Sequence, residues 1–218
     1  MGLSLAYSIL VTDMKILVIT PDGDIGRRVM AELLSPEFTV RVIPDDSAGL
    51  PEEWIEQVEV IAGPTDNAET LLRALAGVGS VLWCIPAGTN QEIEPFACAL
   101  SRAMREVGTP RLVTISTAGC GLIRSAGIIP SQPAIEAILD KSGAMIRHLR
   151  CGLLTESRFS QGQSILEKGT FSLPVPGEIL VPLVEADDGV DVALRWLVRQ
   201  DWEGIERLVV SGPRPVLL

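Results

Sequence analysis

The chain is 218 residues long, enough for one domain with a full core and short for two. Apolar side chains make up 47% and charged ones 21%, which excludes disorder for the bulk of the sequence. Eighteen basic against twenty-eight acidic residues leave a net charge of −10, a field that repels phosphate backbones and anionic lipid, so neither a nucleic-acid nor a membrane partner is expected.

Residues 1–13 form an N-terminal extension to which no function is assigned. The first predicted strand is Lys15-Ile-Leu-Val-Ile-Thr20, and Pro21-Asp22-Gly23-Asp24 turns it into a helix whose Ile25, Val29, Met30, Leu33 and Leu34 share one face. Phe38 to Ile43 is the second strand, closed by the turn residues Pro44-Asp45-Asp46-Ser47. Val58 to Ala62 predicts a short third strand. Asn67 is placed to cap a helix carrying Leu71, Leu72 and Leu75, which Gly77 and Gly79 end before a strand over Val81 to Ile85.

Glu92 to Val107 gives the clearest helix, with Ile93, Phe96, Ala97, Leu100, Ala103 and Met104 as its buried stripe. Arg111 to Ser116 is nearly all apolar or β-branched, as in a parallel strand covered on both faces. A loop to about Pro130 leads to a helix over Gln132 to Lys141 and a strand over Ala144 to Leu149. From Cys151 the rhythm breaks into a turn-rich stretch, a short strand at Ile179 to Leu183, a helix at Asp188 to Arg199 and a strand at Leu208 to Ser211.

This alternation predicts an α/β fold: a doubly wound, mostly parallel Rossmann-type sheet over residues 14–150, with residues 151–218 as a small C-terminal, substrate-side subdomain elaborating the same domain. No apolar run reaches the roughly 20 residues of a membrane span. No basic segment precedes the apolar stretch Gly2 to Val11, so a cytoplasmic location is expected. Cys84, Cys98, Cys120 and Cys151 are too scattered for a CxxC half-site or a disulfide framework, and no metal is expected.

The segment Ile16-Leu-Val-Ile-Thr-Pro-Asp-Gly-Asp-Ile-Gly-Arg-Arg28 resembles the opening of the NmrA-like branch of the atypical short-chain dehydrogenases/reductases. Ala74-Leu-Ala-Gly-Val-Gly79, Val113-Thr-Ile-Ser-Thr-Ala-Gly119, Ile135-Glu-Ala-Ile-Leu-Asp-Lys-Ser-Gly143 and Leu149-Arg-Cys-Gly152 resemble further family motifs in the family order. Asp188-Gly-Val-Asp-Val-Ala193 and Val209-Val-Ser-Gly-Pro213 resemble its late helix and closing strand.

The resemblance implies NAD(P) bound at the carboxyl ends of the strands, with the N-terminus of the first helix toward the pyrophosphate. Thr20, Gly23, Asp24, Ile25 and Gly26 would form the phosphate loop, and Ile85 and Pro86 would flank the nicotinamide half. Asp45, ending the second strand where NADP-binding members carry arginine, would accept ribose hydroxyls and repel a 2′-phosphate, so NAD is expected over NADP.

Several positions depart from the pattern. Thr20 stands where the first family glycine falls, and a β-branched residue resists positive φ. Asp22 and Asp24 bring negative charge toward a dianionic ligand, and Gly63-Pro64-Thr65 replaces the family's Gly-Asp-Leu. The superfamily's Tyr-x-x-x-Lys is missing, since the one tyrosine is Tyr7 and Gln132 occupies the lysine position.

Four residues are candidates for catalysis. Ser116 and Thr117 fall in the superfamily's catalytic serine region, against a plain capping role. His148, the single histidine, has the intrinsic pKa of an acid or base but sits in a strand where a hydrogen-bonded core role is the simpler reading. Arg150 matches the family's Arg-Pro-Gly arginine, against a structural salt bridge.

Three functions fit these residues. The first is an NAD(P)-dependent oxidoreductase moving hydride to or from a small, fairly apolar organic substrate. The second is a non-catalytic dinucleotide-binding redox sensor acting through a protein partner. The third is a degenerate Rossmann protein doing isomerisation or dehydration without a cofactor. A homodimer is expected only on general grounds.

Overall fold

The computed structural model describes residues 14–21, 23–44, 50–64, 66–86, 90–108, 110–118, 131–156, 166–170 and 180–217. Seven strands form one parallel sheet: β1 (Met14–Ile19), β2 (Phe38–Ile43), β3 (Glu59–Val60), β4 (Ser80–Cys84), β5 (Arg111–Thr117), β6 (Ile146–Cys151) and β10 (Ile205–Val210). Their spatial order is β3-β2-β1-β4-β5-β6-β10, so the chain winds outward from β1 to one edge, returns, and winds outward to the other. The reversal between β1 and β4 opens a crevice at the carboxyl ends of the strands.

Two apolar layers cover the sheet. On one face α1 (Asp24–Leu33) and α6 (Ala186–Val198) bury Ile25, Val29, Met30, Leu33, Ala193 and Leu197 against Ile16, Val18, Val113 and Leu149. On the other, α3 (Ala68–Leu75), α4 (Asn90–Val107) and α5 (Ser131–Leu139) bury Leu71, Leu75, Leu100, Met104 and Ile135 against Leu17, Ile19, Val81 and Trp83. The alternation of side chains along each strand sends neighbours to opposite layers.

The local signals work as their chemistry predicts. Asn67 accepts from the amides of Glu69 at 2.8 Å and Thr70 at 3.2 Å and starts α3. Gly143, at φ 79°, ends the 3-10 turn Asp140–Ser142 that extends α5. Arg41 of β2 is 5% exposed and donates to the last carbonyls of α3, at Arg73, Ala74 and Ala76, while its second nitrogen forks onto Glu59 of β3. One guanidinium thus closes a helix C-terminus and holds an edge strand.

A four-residue helix α2 (Glu52–Ile55) was not expected from the pattern. The predicted short strand at Ile179 to Leu183 is two two-residue strands, β8 (Leu180–Val181) and β9 (Leu183–Val184), in separate small sheets. β9 pairs in parallel with β7 (Leu153–Leu154), and β8 antiparallel with β11 (Val216–Leu217).

The boundary expected after residue 150 falls inside β6. Much of the segment beyond that point belongs to the main body, because α6 packs on α1 and β10 extends the sheet in parallel beside β6. Among the described residues, only the strands between β6 and α6, with β11, lie outside the central sheet. Among the described residues no helix is long and apolar enough to cross a membrane.

Candidate functional site

The loop after β1 carries the first half of the site. Thr20 has φ 57°, so a β-branched residue holds the left-handed conformation that glycine adopts without strain. Its amide donates to the Ile43 carbonyl at 3.2 Å, tying the ends of β1 and β2 together. Gly23 is the N-cap of α1 and brings no side chain to the first helical amides. A Cβ on Gly23 would enter open space, whereas one on Gly26 would lie 2.7 Å from the Pro21 carbonyl oxygen.

The two glycines therefore do different work. Gly26 lets α1 lie against the loop, and Gly23 leaves the ground in front of the helix N-terminus clear. Asp24 opens the helix, and Ile25 is buried, reaching the position where a side chain on Gly189 of α6 would stand. Ile85 and Pro86 follow β4 into the same crevice; Ile85 is buried, with its amide on the Ile115 carbonyl at 3.1 Å, and Pro86 is exposed. Asp22 and Asp45 lie outside the described residues.

Arg28 of α1 reaches across to α6. It is bonded to Asp187 of α6 and lies 3.6 Å from Glu156, whose carboxylate also accepts the Ala186 amide at 2.9 Å. Burial pushes the Glu156 carboxyl up, but that amide bond and the Arg28 charge leave it below its usual range. The Arg28 guanidinium thereby joins α1 to α6.

At the ends of β5 and β6 the register sets the second half. Thr114 pairs with His148 and Ser116 with Arg150, while His148 also faces Arg207 of β10, so all five side chains project toward α5. They converge on a residue the sequence analysis did not single out, Glu136 of α5, which is 1% exposed. Glu136 Oε1 accepts from Ser116 Oγ at 2.9 Å and Arg150 Nε at 3.2 Å. Oε2 accepts from Arg150 Nη2 at 2.6 Å and Arg207 Nε at 3.2 Å. Burial alone would raise its pKa, yet the Arg150 hydrogen bond, the His148 charge and the Ser116 hydroxyl hold it below 4.5. Glu136 is a carboxylate at neutral pH.

His148 is wholly buried. Its Nδ1 lies 2.7 Å from Thr114 Oγ1 and its Nε2 3.0 Å from Asp140 Oδ1, and Asp140 is also held by Arg207. Burial drives the imidazole pKa down against the pull of Glu136 and Asp140. With both nitrogens engaged inside the protein, His148 orders the cluster and has no ring nitrogen facing the crevice.

The Thr117 amide donates to Gln132 Oε1 at 2.5 Å, so the residue in the superfamily's lysine position caps the end of β5. Gln132 and Glu136 are four apart on α5 and both buried, a polar pair on the sheet-facing side. That spacing is the sequence signal from which Glu136 could have been found. Cys151 is buried, which lifts its thiol to about 11, and Cys98 is exposed; neither forms a disulfide.

A parallel sheet reversing at β1 and β4, with an uncrowded glycine in front of the helix that follows β1, defines a Rossmann-type dinucleotide-binding protein. The chain belongs to the family described as NAD(P)H-binding, whose model matches residues 22–172.

The fold is shared with a nucleoside-diphosphate-sugar epimerase from Staphylococcus aureus at a TM-score of 0.80 and 15% identity, covering 94% of this chain and 73% of that one. It is shared with the NADPH-dependent quinone oxidoreductase of Escherichia coli, complexed with NADPH, at 0.79 and 20%, covering 93% and 71%. The Bordetella bronchiseptica enzyme WbmG in complex with NAD matches at 0.70 and 18%, covering 94% and 75%. No curated protein sequence matches the chain.

Proposed function

We propose that the protein is an NAD(P)-dependent oxidoreductase acting on a small, fairly apolar organic molecule held between the nicotinamide and the ends of β5 and β6. The observation that carries this reading is the pairing of a cleared Gly23 with a packed Gly26 at the N-terminus of α1, a cradle kept although Thr20 must hold a positive φ to form it.

When bound, the dinucleotide would supply hydride chemistry. The chain's own part is positioning. Gly23 and the first amides of α1 would hold the pyrophosphate, Ile85 and Pro86 would wall the nicotinamide half, and Ser116, backed by Glu136 and Arg150, would orient the reacting group. With Gln132 in the lysine position, no lysine-paired tyrosine supplies a proton. Asp45 favours NAD over NADP through its charge, although proteins sharing this fold use either dinucleotide.

Nicotinamide absorbance, followed with the purified protein across matched alcohols, ketones and enones, tests the reading. A substrate-dependent change that Ser116→Ala reduces by at least about tenfold supports it. No change with any member turns attention to the redox-sensing regulator, which the missing Tyr-x-x-x-Lys pair favours.

A further inference from the structure

At the end of β5 the Thr117 amide and the Ser116 hydroxyl could each serve a substrate oxygen, and the protein uses both of them itself. The Thr117 amide is given to Gln132 Oε1, and the Ser116 hydroxyl to Glu136 Oε1. An ionised carboxylate has no proton to offer, so the direction of the second bond is fixed: Ser116 donates and Glu136 accepts. The two guanidinium groups of Arg150 and Arg207 hold Glu136 in that state. Glu136 is 1% exposed, so water cannot stand in for the serine at its Oε1 without opening the cluster.

From this geometry we infer that Ser116 meets its ligand only as a hydrogen-bond acceptor, so that the site selects molecules presenting an O–H or N–H at the reacting carbon, alcohols or amines, over the matching carbonyl compounds. The inference rests on the oxidoreductase reading and names its substrate class. A carbonyl oxygen brought to Ser116 would meet lone pairs and lose its hydration unreplaced, whereas an alcohol would give its hydrogen to Oγ and complete a chain running from ligand to Ser116 to Glu136 to Arg150.

Glu136→Gln reverses the polarity. Two guanidinium donors, Arg150 Nη2 and Arg207 Nε, meet Oε2 and one, Arg150 Nε, meets Oε1, so the amide oxygen takes the Oε2 place and the amide nitrogen, at the cost of the Arg150 Nε bond, donates to Ser116 Oγ. The serine hydrogen then turns outward and the site becomes a donor.

The experiment is ligand-observed NMR on the full chain saturated with dinucleotide, using cyclohexanol against cyclohexanone and 1-phenylethanol against acetophenone as probes, with circular dichroism to show that each variant is folded. Wild type should favour the alcohols by about fivefold, the worth of one net hydrogen bond. Glu136→Gln should favour the ketones, and Ser116→Ala, which needs no rearrangement of the cluster, should bring each pair to near parity. Equal or tighter ketone binding by wild type, or no binding of either alcohol, overturns the inference while dinucleotide binding leaves the oxidoreductase reading standing. Failure to bind any dinucleotide removes both. If Glu136→Gln does not fold, the loss of preference in Ser116→Ala decides alone.

Discussion

Arg150 forks onto Glu136 through Nε at 3.2 Å and Nη2 at 2.6 Å, joining the end of β6 to a carboxylate that α5 keeps almost wholly out of water. A buried carboxylate is stabilising only while its partners remain, so this pair is where the fold is most sensitive to a polar deletion. Arg150→Ala should destabilise the protein by about 3 kcal/mol in urea or guanidinium unfolding, because buried Glu136 would lose both bonds of the fork. Glu136→Ala should be comparable, and the double variant should fall well short of the sum, since each change removes the same bond.

Acid should act on the same cluster in two separate windows. Burial holds His148 below its ordinary 6.5, so the unfolded chain takes up a proton near that pH while the folded chain does not. The stability that neutral His148 contributes is complete above pH 6.5 and falls away as pH drops toward the depressed native value, with a slope approaching about 1.4 kcal/mol per pH unit. Glu136 acts further down, because its native pKa lies below 4.5 and its contribution, complete above that value, is lost as pH falls through the native one. Unfolding free energy measured against pH should show both declines, with His148→Gln removing the upper one and Glu136→Gln removing the lower one while extending the upper to lower pH, because it also takes away the charge that pulls His148 up.

Thr20 stores strain that glycine would release. At φ 57° a β-branched residue is held in the left-handed region, and Thr20→Gly should raise stability by about 1 kcal/mol despite the greater freedom glycine gives the unfolded chain. A melting temperature unchanged or lowered would show that the threonine side chain contributes more than its backbone strain removes.

Gly23 and Gly26 should separate folding from binding. Gly26→Ala places a methyl group 2.7 Å from the Pro21 carbonyl oxygen and should cost about 2 kcal/mol of stability as α1 is pushed off the loop. Gly23→Ala meets nothing within the protein, so thermal unfolding should move little, while dinucleotide affinity should fall by about tenfold or more as the methyl group takes the ligand's place.

The sequence made the scaffold legible wherever one signal ruled. Period-two and period-3.6 apolar patterns located the helices and the inner strands, and Asn67 and Gly143 started or stopped helices for reasons their own chemistry supplies. β10 was harder to place, because as an edge strand it leaves Ile205 and Val209 exposed and shows no continuous apolar run. The first half of the candidate site was suggested by Gly23 and Gly26, since backbone constraints leave glycines in sequence. The second half was half legible: Ser116 and Arg150 stood out at strand ends, but Glu136 looked like any acid on a helix. A burial of 1% against two arginines from different strands is a tertiary fact that no local pattern carries.

Calorimetric titration of the purified protein with NAD, NADH, NADP and NADPH bears most directly on the central claim, that the cleared Gly23 loop and its uncapped helix are a working dinucleotide site. The account predicts micromolar binding, tighter for NAD and NADH, and lost in Gly23→Ala while that variant stays folded. No heat of binding with any of the four, from protein whose thermal unfolding shows it to be native, would contradict it.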